Sequence, residues 1–156
     1  MELVLWRHAE AEDEAATDHL RNLTPKGRRQ AKKMADWFAG QIGGQWADWM
    51  LIASPANRAQ QTAEALGQPF VTEPQIAPDA SVEAVLKAAG WPSGGAGRKI
   101  MVVGHQPTLG MVAAQLLDGS SGYLSVKKGA MWWFETRHRQ AAMQTVLKAM
   151  VTPETV

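Results

Sequence analysis

Apolar residues along the chain follow two alternating patterns. Residues 3–6, 49–53, 99–104 and 130–135 are short runs dominated by apolar side chains. They read as strands, and the unbroken Ile100-Met101-Val102-Val103 reads as a strand covered on both faces. Between these runs the apolar positions recur every three or four residues, the spacing of one helix face. Thr24-Pro25 fits an N-cap followed by proline at the first helical position. The helix it opens is predicted to reach Phe38, with Ala31, Met34, Ala35 and Phe38 on one side. Further helices are predicted over 56–66, with Gly67 suited to end it, over 81–89, and over 107–117, which Pro107 can start. Strand–helix alternation implies an α/β three-layer sandwich, with a mostly parallel central sheet flanked by helices. The C-terminal stretch differs. After Met131-Trp132-Trp133-Phe134, residues 143–151 read either as the second arm of an antiparallel hairpin turning across 137–140 or as a short helix.

Composition narrows the function more than the fold. A chain of 156 residues and 17.0 kDa suits one domain with its own core, spanning 1–156. Gly94-Gly95-Ala96-Gly97 reads as a loop too short to link two domains. The 16 basic and 15 acidic residues give a net charge of +1, which argues against nucleic-acid binding by counterion release. There is no cysteine, so disulfides, thiolate catalysis and thiolate metal sites are excluded. The four histidines lack the paired spacing of a metal site, and no metal or cofactor is expected. The N-terminus enters a strand directly, unlike a signal peptide, and no apolar run approaches the ~20 residues of a membrane span. A cytoplasmic protein without membrane partners is the expectation. No G-x-G-x-x-G follows the first strand, which removes the usual dinucleotide site.

Candidate chemistry lies just beyond three of the strands. Arg7-His8 follows the first, Ser54-Pro55-Ala56-Asn57-Arg58 the second, and Gly104-His105-Gln106-Pro107 the third. Ligands of open α/β sheets bind at this edge, so the three loops are expected to converge there. Convergence would put two imidazoles and two guanidiniums around one phosphate-sized volume. Arginines offer planar, permanently charged forks for phosphoryl oxygens, and the helix starting near Pro107 would add backbone donors. A histidine in such a cage can attack phosphorus, with the arginines neutralising the charge in place of a metal. Other polar residues have plainer readings. His19 and His138 are expected at the surface. Glu10, Glu12, Asp13 and Glu14 form a solvated acidic loop, in which Glu10 is the one candidate for orienting a site group. The seven tryptophans are expected to pack in or near the core, with Trp132 and Trp133 on opposite faces of a strand.

These motifs resemble those of a known family. Arg7-His8-Ala9-Glu10-Ala11 is similar to the Arg-His-Gly signature of the histidine phosphatase superfamily, also called phosphoglycerate mutase-like. The resemblance continues through Leu23-Thr24-Pro25-Lys26-Gly27, Ser54-Pro55, Arg58-Ala59-Gln60-Gln61-Thr62-Ala63 and Val103-Gly104-His105-Gln106-Pro107. Order and spacing agree over about the first three quarters of the chain. Short length without a cap insertion, and the segment Asp18-His19-Leu20-Arg21-Asn22-Leu23-Thr24, resemble the SixA-type phosphohistidine phosphatases. The resemblance implies that His8 is a transiently phosphorylated nucleophile. It implies that Arg7 and Arg58 grip the phosphoryl oxygens and that His105 donates a hydrogen bond to the same group. Arg21 would hold the phosphate or position the loop carrying Asp18.

The chain also departs from the family pattern. Ala9 stands in place of the usual glycine and Asn22 in place of proline. Gln75 occupies the position aligned to a glutamate that protonates an alkoxide leaving group, leaving Glu73, Asp79 or no residue as the general acid. A weak acid supply favours phosphohistidine, whose protonated imidazole leaves readily. The implied function is a metal-independent phosphohistidine phosphatase acting on a phosphorylated substrate, with a histidine phosphotransfer protein as a candidate partner. The alternatives are a small-molecule phosphomonoesterase of the same fold, or a phosphate- or phosphoprotein-binding module with little turnover.

Overall fold

Leu3, Val4, Leu5 and Trp6 are all fully buried, so the strand that carries them, β1 (Glu2–Arg7), must be covered on both faces. The computed structural model, which describes residues 1–156, shows how this is done. The elements run β1, α1 (Pro25–Gln41), β2 (Trp49–Ala53), α2 (Asn57–Glu64), β3 (Val71–Thr72), α3 (Val82–Ala89), β4 (Lys99–Gly104), α4 (Thr108–Asp118), β5 (Met131–Arg139) and β6 (Ala142–Val151). The strands form one six-stranded sheet in the order β3-β2-β4-β1-β5-β6. The first four are parallel to one another, and β5 runs antiparallel to both β1 and β6.

Period-two alternation divides the core between the two faces of the sheet. Val4, Trp6, Leu51, Ala53, Met101 and Val103 pack with α1 and α2 residues such as Met34, Phe38 and Ala59. Leu3, Leu5, Ile52, Ile100 and Val102 pack with Val85, Leu109 and Val112 of α3 and α4. The aromatic part of the first face centres on Phe38, whose ring centroid lies 4.9 Å from Trp49 and 5.2 Å from Trp133. Trp132 packs on the opposite face, as strand alternation requires.

The expected α/β sandwich is therefore present, with differences at its edges. Thr24 caps α1 through its hydroxyl, which accepts from the Gly27 N–H at 2.9 Å, but the helix continues past Phe38 to Gln41. α2 is shorter than 56–66, and Pro107 precedes α4 rather than opening it. The exposed two-residue strand β3 is too short to carry any periodicity. Residues 142–151 form the hairpin arm and not a helix, with Gln140 and Ala141 both at positive φ in the two-residue turn.

Helix placement defines one special edge. The connection leaving β1 runs to the face of α1 and α2, and the connection leaving the adjacent β4 runs to the face of α3 and α4. The carboxyl ends of β1 and β4 thus form the topological switch point, where a crevice opens.

Glycine allows two segments to approach closely beside that crevice. A Cβ at Gly110 of α4 would overlap the Leu124 carbonyl oxygen and crowd the Gln106 side chain. Gly110→Ala is expected to destabilise the fold by ~1–3 kcal/mol through this overpacking. Gly40→Ala, in α1 with nothing near the added methyl, is expected to stabilise by up to ~1 kcal/mol. Urea unfolding of the two variants beside wild type checks both signs.

Candidate active site

Strand register places the first two site residues. β1 and β4 pair in parallel with Arg7 opposite Gly104, so His8 and His105 follow side by side. The His8 N–H donates to the Gly104 carbonyl at 3.0 Å, and the imidazole centroids lie 5.2 Å apart. β2 flanks β4 on the other side with Ala53 opposite Val103, which brings Ser54 beside Gly104. The Ser54 N–H donates to the Val103 carbonyl at 3.0 Å. Arg58 comes from the first turn of α2 and is only 4% exposed, against 7% for His8 and 4% for His105. So much burial of cationic and polar side chains at one sheet edge is the signature of a built site.

Hydrogen bonds fix the rings. His8 Nδ1 lies 2.7 Å from the Ala9 carbonyl, and a carbonyl only accepts, so Nδ1 carries the proton. Nε2 of His8 is therefore the bare nitrogen, with its lone pair available. His105 Nε2 lies 2.6 Å from Ser54 Oγ, which also accepts from the Ala56 N–H at 3.3 Å. If the serine hydroxyl donates to Nε2, every polar atom of the pair is satisfied except a donating Nδ1–H. The opposite tautomer leaves both the hydroxyl proton and Nδ1 without a partner, so we assign the first. His105 Nδ1 is buried and has no partner within the protein, as are Nε of Arg7 and Nε of Arg58. Three unmatched N–H donors around one nucleophilic nitrogen call for an external acceptor, since an unpaired buried donor is costly.

Second contacts hold the guanidiniums. Arg7 Nη1 donates to the Val126 carbonyl at 2.8 Å, and the Gly129 N–H donates to the His8 carbonyl at 3.0 Å, so the loop before β5 wraps the nucleophile. Arg58 donates to the Asp18 carbonyl at 2.9 Å and to its carboxylate at 3.0 Å. The same carboxylate accepts from Arg21 Nε at 3.1 Å, and Arg21 Nη1 donates to the Glu12 carbonyl at 3.0 Å. Thr62 joins nucleophile and α2: its hydroxyl accepts from the Ala9 N–H at 3.1 Å and donates to the Arg58 carbonyl at 2.7 Å. Arg7, His8, Asp18, Arg21, Arg58 and His105 line a cleft of about 290 Å³.

Electrostatics keep both imidazoles neutral. Burial pushes the His8 pKa down to about 3, opposed by its bond to the Ala9 carbonyl and reinforced by Arg58, Arg7 and Arg21. Burial also takes His105 to about 3, helped by His8 and Arg58 and opposed by Asp18. For Asp18, burial works to raise the pKa, but bonds and charges from Arg58 and Arg21 prevail and hold it below the ordinary range. Asp18 is thus an ionised counter-ion between two arginines.

All five sequence-predicted residues, Arg7, His8, Arg21, Arg58 and His105, line this cleft. Glu73 does not. Its carboxylate accepts from the Gln75 N–H at 3.0 Å and caps a short turn, whereas Asp79 stands at the cleft. Glu10 does not orient a site group, because its carboxylate accepts from the Thr24 hydroxyl at 2.7 Å. Ala9 sits fully buried without a positive φ, so the missing glycine is accommodated. The donors expected from α4 are largely consumed: the Leu109 N–H donates to the His105 carbonyl at 2.9 Å and the Gly110 N–H to Gln106 Oε1 at 2.7 Å. Sequence reasoning gave no site role to Ser54, Asp18, Thr62 or Lys128. Of these, Asp18, Ser54 and Thr62 lie within motifs that resemble the family, whereas Lys128 had no signal. No three His, Asp or Glu side chains cluster in a way that could hold a metal ion, and no helix is long and apolar enough to cross a membrane.

Comparison with known proteins agrees with this geometry. The family model described as histidine phosphatase superfamily (branch 1) matches residues 3–81. The phosphohistidine phosphatase SixA of Escherichia coli (strain K12) is 29% identical over 127 residues, covering 78% of this chain and 77% of that protein. An uncharacterised Picosynechococcus protein is 35% identical over 139 residues, covering 84% and 82%. Among solved structures, that of the protein histidine phosphatase SixA complexed with tungstate superimposes with a TM-score of 0.79 at 25% identity, covering 98% of this chain and 97% of that one.

Depressed histidine pKa values couple the site to folding. Between about pH 3 and 6.5 the unfolded chain binds protons that His8 and His105 of the folded chain refuse. Their contribution to stability is therefore complete above pH ~6.5 and is lost as pH falls toward ~3. Urea midpoints measured across this range should fall with acidification, and His8→Gln and His105→Gln should each flatten the slope.

Proposed function

Because the chain belongs to the histidine phosphatase superfamily and is a phosphatase, we propose that it hydrolyses phosphohistidine through a phosphoryl group carried on His8 Nε2. The observation that carries this reading is the His8 tautomer. The Ala9 carbonyl holds the proton on Nδ1 at 2.7 Å, and burial among arginines keeps the ring neutral, so Nε2 is a nucleophile at any ordinary pH. In the first step Nε2 attacks phosphorus, the P–N bond of the substrate breaks, and its electron pair leaves with the substrate imidazole. In the second step a water oxygen attacks phosphorus, and the P–Nε2 electron pair returns to His8. The water protons pass to product phosphate and solvent.

Residue roles follow from what each group already bonds. Arg7 and Arg58 line the cleft, keep their Nε–H groups unpartnered within the protein, and would bind the transferring oxygens. Nδ1–H of His105 is the third donor, oriented by Ser54. Preorganised donors of this kind act where charge develops and need no reorganisation during reaction. Arg21 acts through Asp18, which it shares with Arg58, and so positions Arg58 as well as adding charge. With three arginines neutralising the phosphoryl charge, the reaction as proposed needs no metal ion.

The leaving group points to nitrogen over oxygen. Gln75 and Glu73 lie away from the cleft, and Asp18 is locked as an anion between arginines, so Asp79 is the one carboxyl group placed where it could protonate an alkoxide. A protonated imidazole leaves without such help. Relatives support the substrate class: the similar Escherichia coli protein is a phosphohistidine phosphatase, and tungstate, bound to the similar solved structure, is a tetrahedral oxyanion like phosphate. We take residues 1–156 as one catalytic domain, and a protein carrying phosphohistidine, such as a histidine phosphotransfer protein, as its partner.

Phosphate release from a phosphohistidine-bearing protein, with chelator present, tests the reading. Wild type should turn over and His8→Ala should not. Arg58→Ala should lose ~10²–10³ in kcat. Chelator-sensitive turnover, or turnover surviving in His8→Ala, would refute it.

A further inference from the structure

Asp79 brings a second carboxylate to the cleft besides Asp18. Asp79 lies in the turn between the short helical turn Pro74–Ile76 and α3. The Ala80 N–H donates to the Ala77 carbonyl at 3.0 Å, closing a four-residue turn with Pro78 and Asp79 at its centre. Asp79 has a φ of 67°. Proline followed by a residue at positive φ marks a type II turn, whose third position favours glycine or asparagine because a Cβ is strained there. Aspartate is tolerated at such a position but is not the residue that the backbone selects.

The turn is also held firmly. Ile76 beside it is 2% exposed, and the Ala80 carbonyl accepts from the Thr108 hydroxyl at 2.6 Å. Thr108 opens α4 three residues after His105, so Asp79 is fixed relative to the nucleophile by the segment that carries His105. Its carboxylate makes no ion pair and no side-chain hydrogen bond, although Arg7, Arg21, Arg58 and Lys128 line the same cleft. Asp18, the other carboxylate there, is fully engaged by Arg21 and Arg58.

A free anion at the mouth of a phosphate site repels the phosphoryl group and gains nothing from a neutral or anionic leaving group. It becomes favourable when the substrate brings a positive charge next to phosphorus. We infer that Asp79 is a specificity-determining residue that accepts a hydrogen bond from the ring N–H of a protonated phosphohistidine. This rests on the phosphohistidine reading above and adds the group that selects the imidazolium side of the substrate. With that far nitrogen protonated, the P–N bond breaks as His8 Nε2 forms its bond to phosphorus. The P–N electron pair moves into the ring, and imidazole departs neutral, keeping the proton that faces Asp79. The arrangement mirrors the enzyme side, where the Ala9 carbonyl accepts from the Nδ1–H of His8.

Kinetics of Asp79→Asn and Asp79→Gly on two substrates test this. One is a phosphohistidine peptide, and the other is p-nitrophenyl phosphate, whose leaving group needs no protonation. Both replacements suit the left-handed position, so neither variant should melt below wild type. Asp79→Asn and Asp79→Gly should lower kcat/KM for the peptide about tenfold or more, the size of one charge-assisted hydrogen bond. Turnover of the aryl phosphate should stay within about twofold or rise, because a repelling charge is gone. Equal loss on both substrates, or no change on the peptide, overturns the role of Asp79 while leaving the phosphohistidine reading intact. Wild-type turnover of the aryl phosphate without any of the peptide overturns the substrate reading, and the inference with it.

Discussion

In-register parallel pairing of β1 with β4 is the constraint on which the site depends. Arg7 opposite Gly104 means that the next residue of each strand is a histidine, and the sheet delivers both imidazoles to one crevice. Neither loop has to search for this arrangement, because the ladder that buries Leu3 to Trp6 against Ile100 to Val103 also sets the spacing of the chemistry. A one-residue slip of either strand would exchange the side chains on its two faces and take the two imidazoles out of register. Core and site are therefore specified by the same hydrogen bonds.

Charge is arranged around neutral rings. Three guanidiniums and a lysine line the cleft, yet burial, reinforced at His8 by all three arginines and at His105 by His8 and Arg58, keeps both rings unprotonated. A protonated His8 could not attack phosphorus, so the arginines serve twice: they attract the anion and they hold the nucleophile in its reactive form. Arg7 and Arg58 also oppose one another, and Arg7 has its pKa lowered by burial and by Arg58. Asp18 offsets part of this repulsion, bridging Arg58 and Arg21 through an exposed carboxylate. A bound phosphoryl dianion would offset the rest.

Much of this was legible in the sequence, for identifiable reasons. The buried strands announced themselves because two-sided coverage leaves no polar residue in Ile100 to Val103, and the site residues sit directly beyond such strands. Residues whose role arises from long-range contact stood in recognisable motifs, but the sequence did not reveal what they do. Ser54 orients His105 only because β2 lies beside β4, and Thr62 reaches Ala9 only because α2 lies over β1. The helix donors near Pro107 were misjudged, since Gln106 folds its own side chain over the Gly110 N–H. Asp79 and Glu73 looked equivalent as carboxylates in one segment. Backbone conformation separates them, with a positive φ at Asp79 and a capping role for Glu73.

The central claim is that Nε2 of His8 carries the phosphoryl group while the Ala9 carbonyl keeps the proton on Nδ1. Trapping the phosphorylated enzyme by rapid denaturation at alkaline pH, with histidines labelled by ¹⁵N, and reading the phosphorus–nitrogen coupling by NMR tests it most directly. The account predicts one phosphohistidine, at His8, with phosphorus bonded to Nε2. Phosphorus on Nδ1, on His105, or on no histidine during turnover would contradict it.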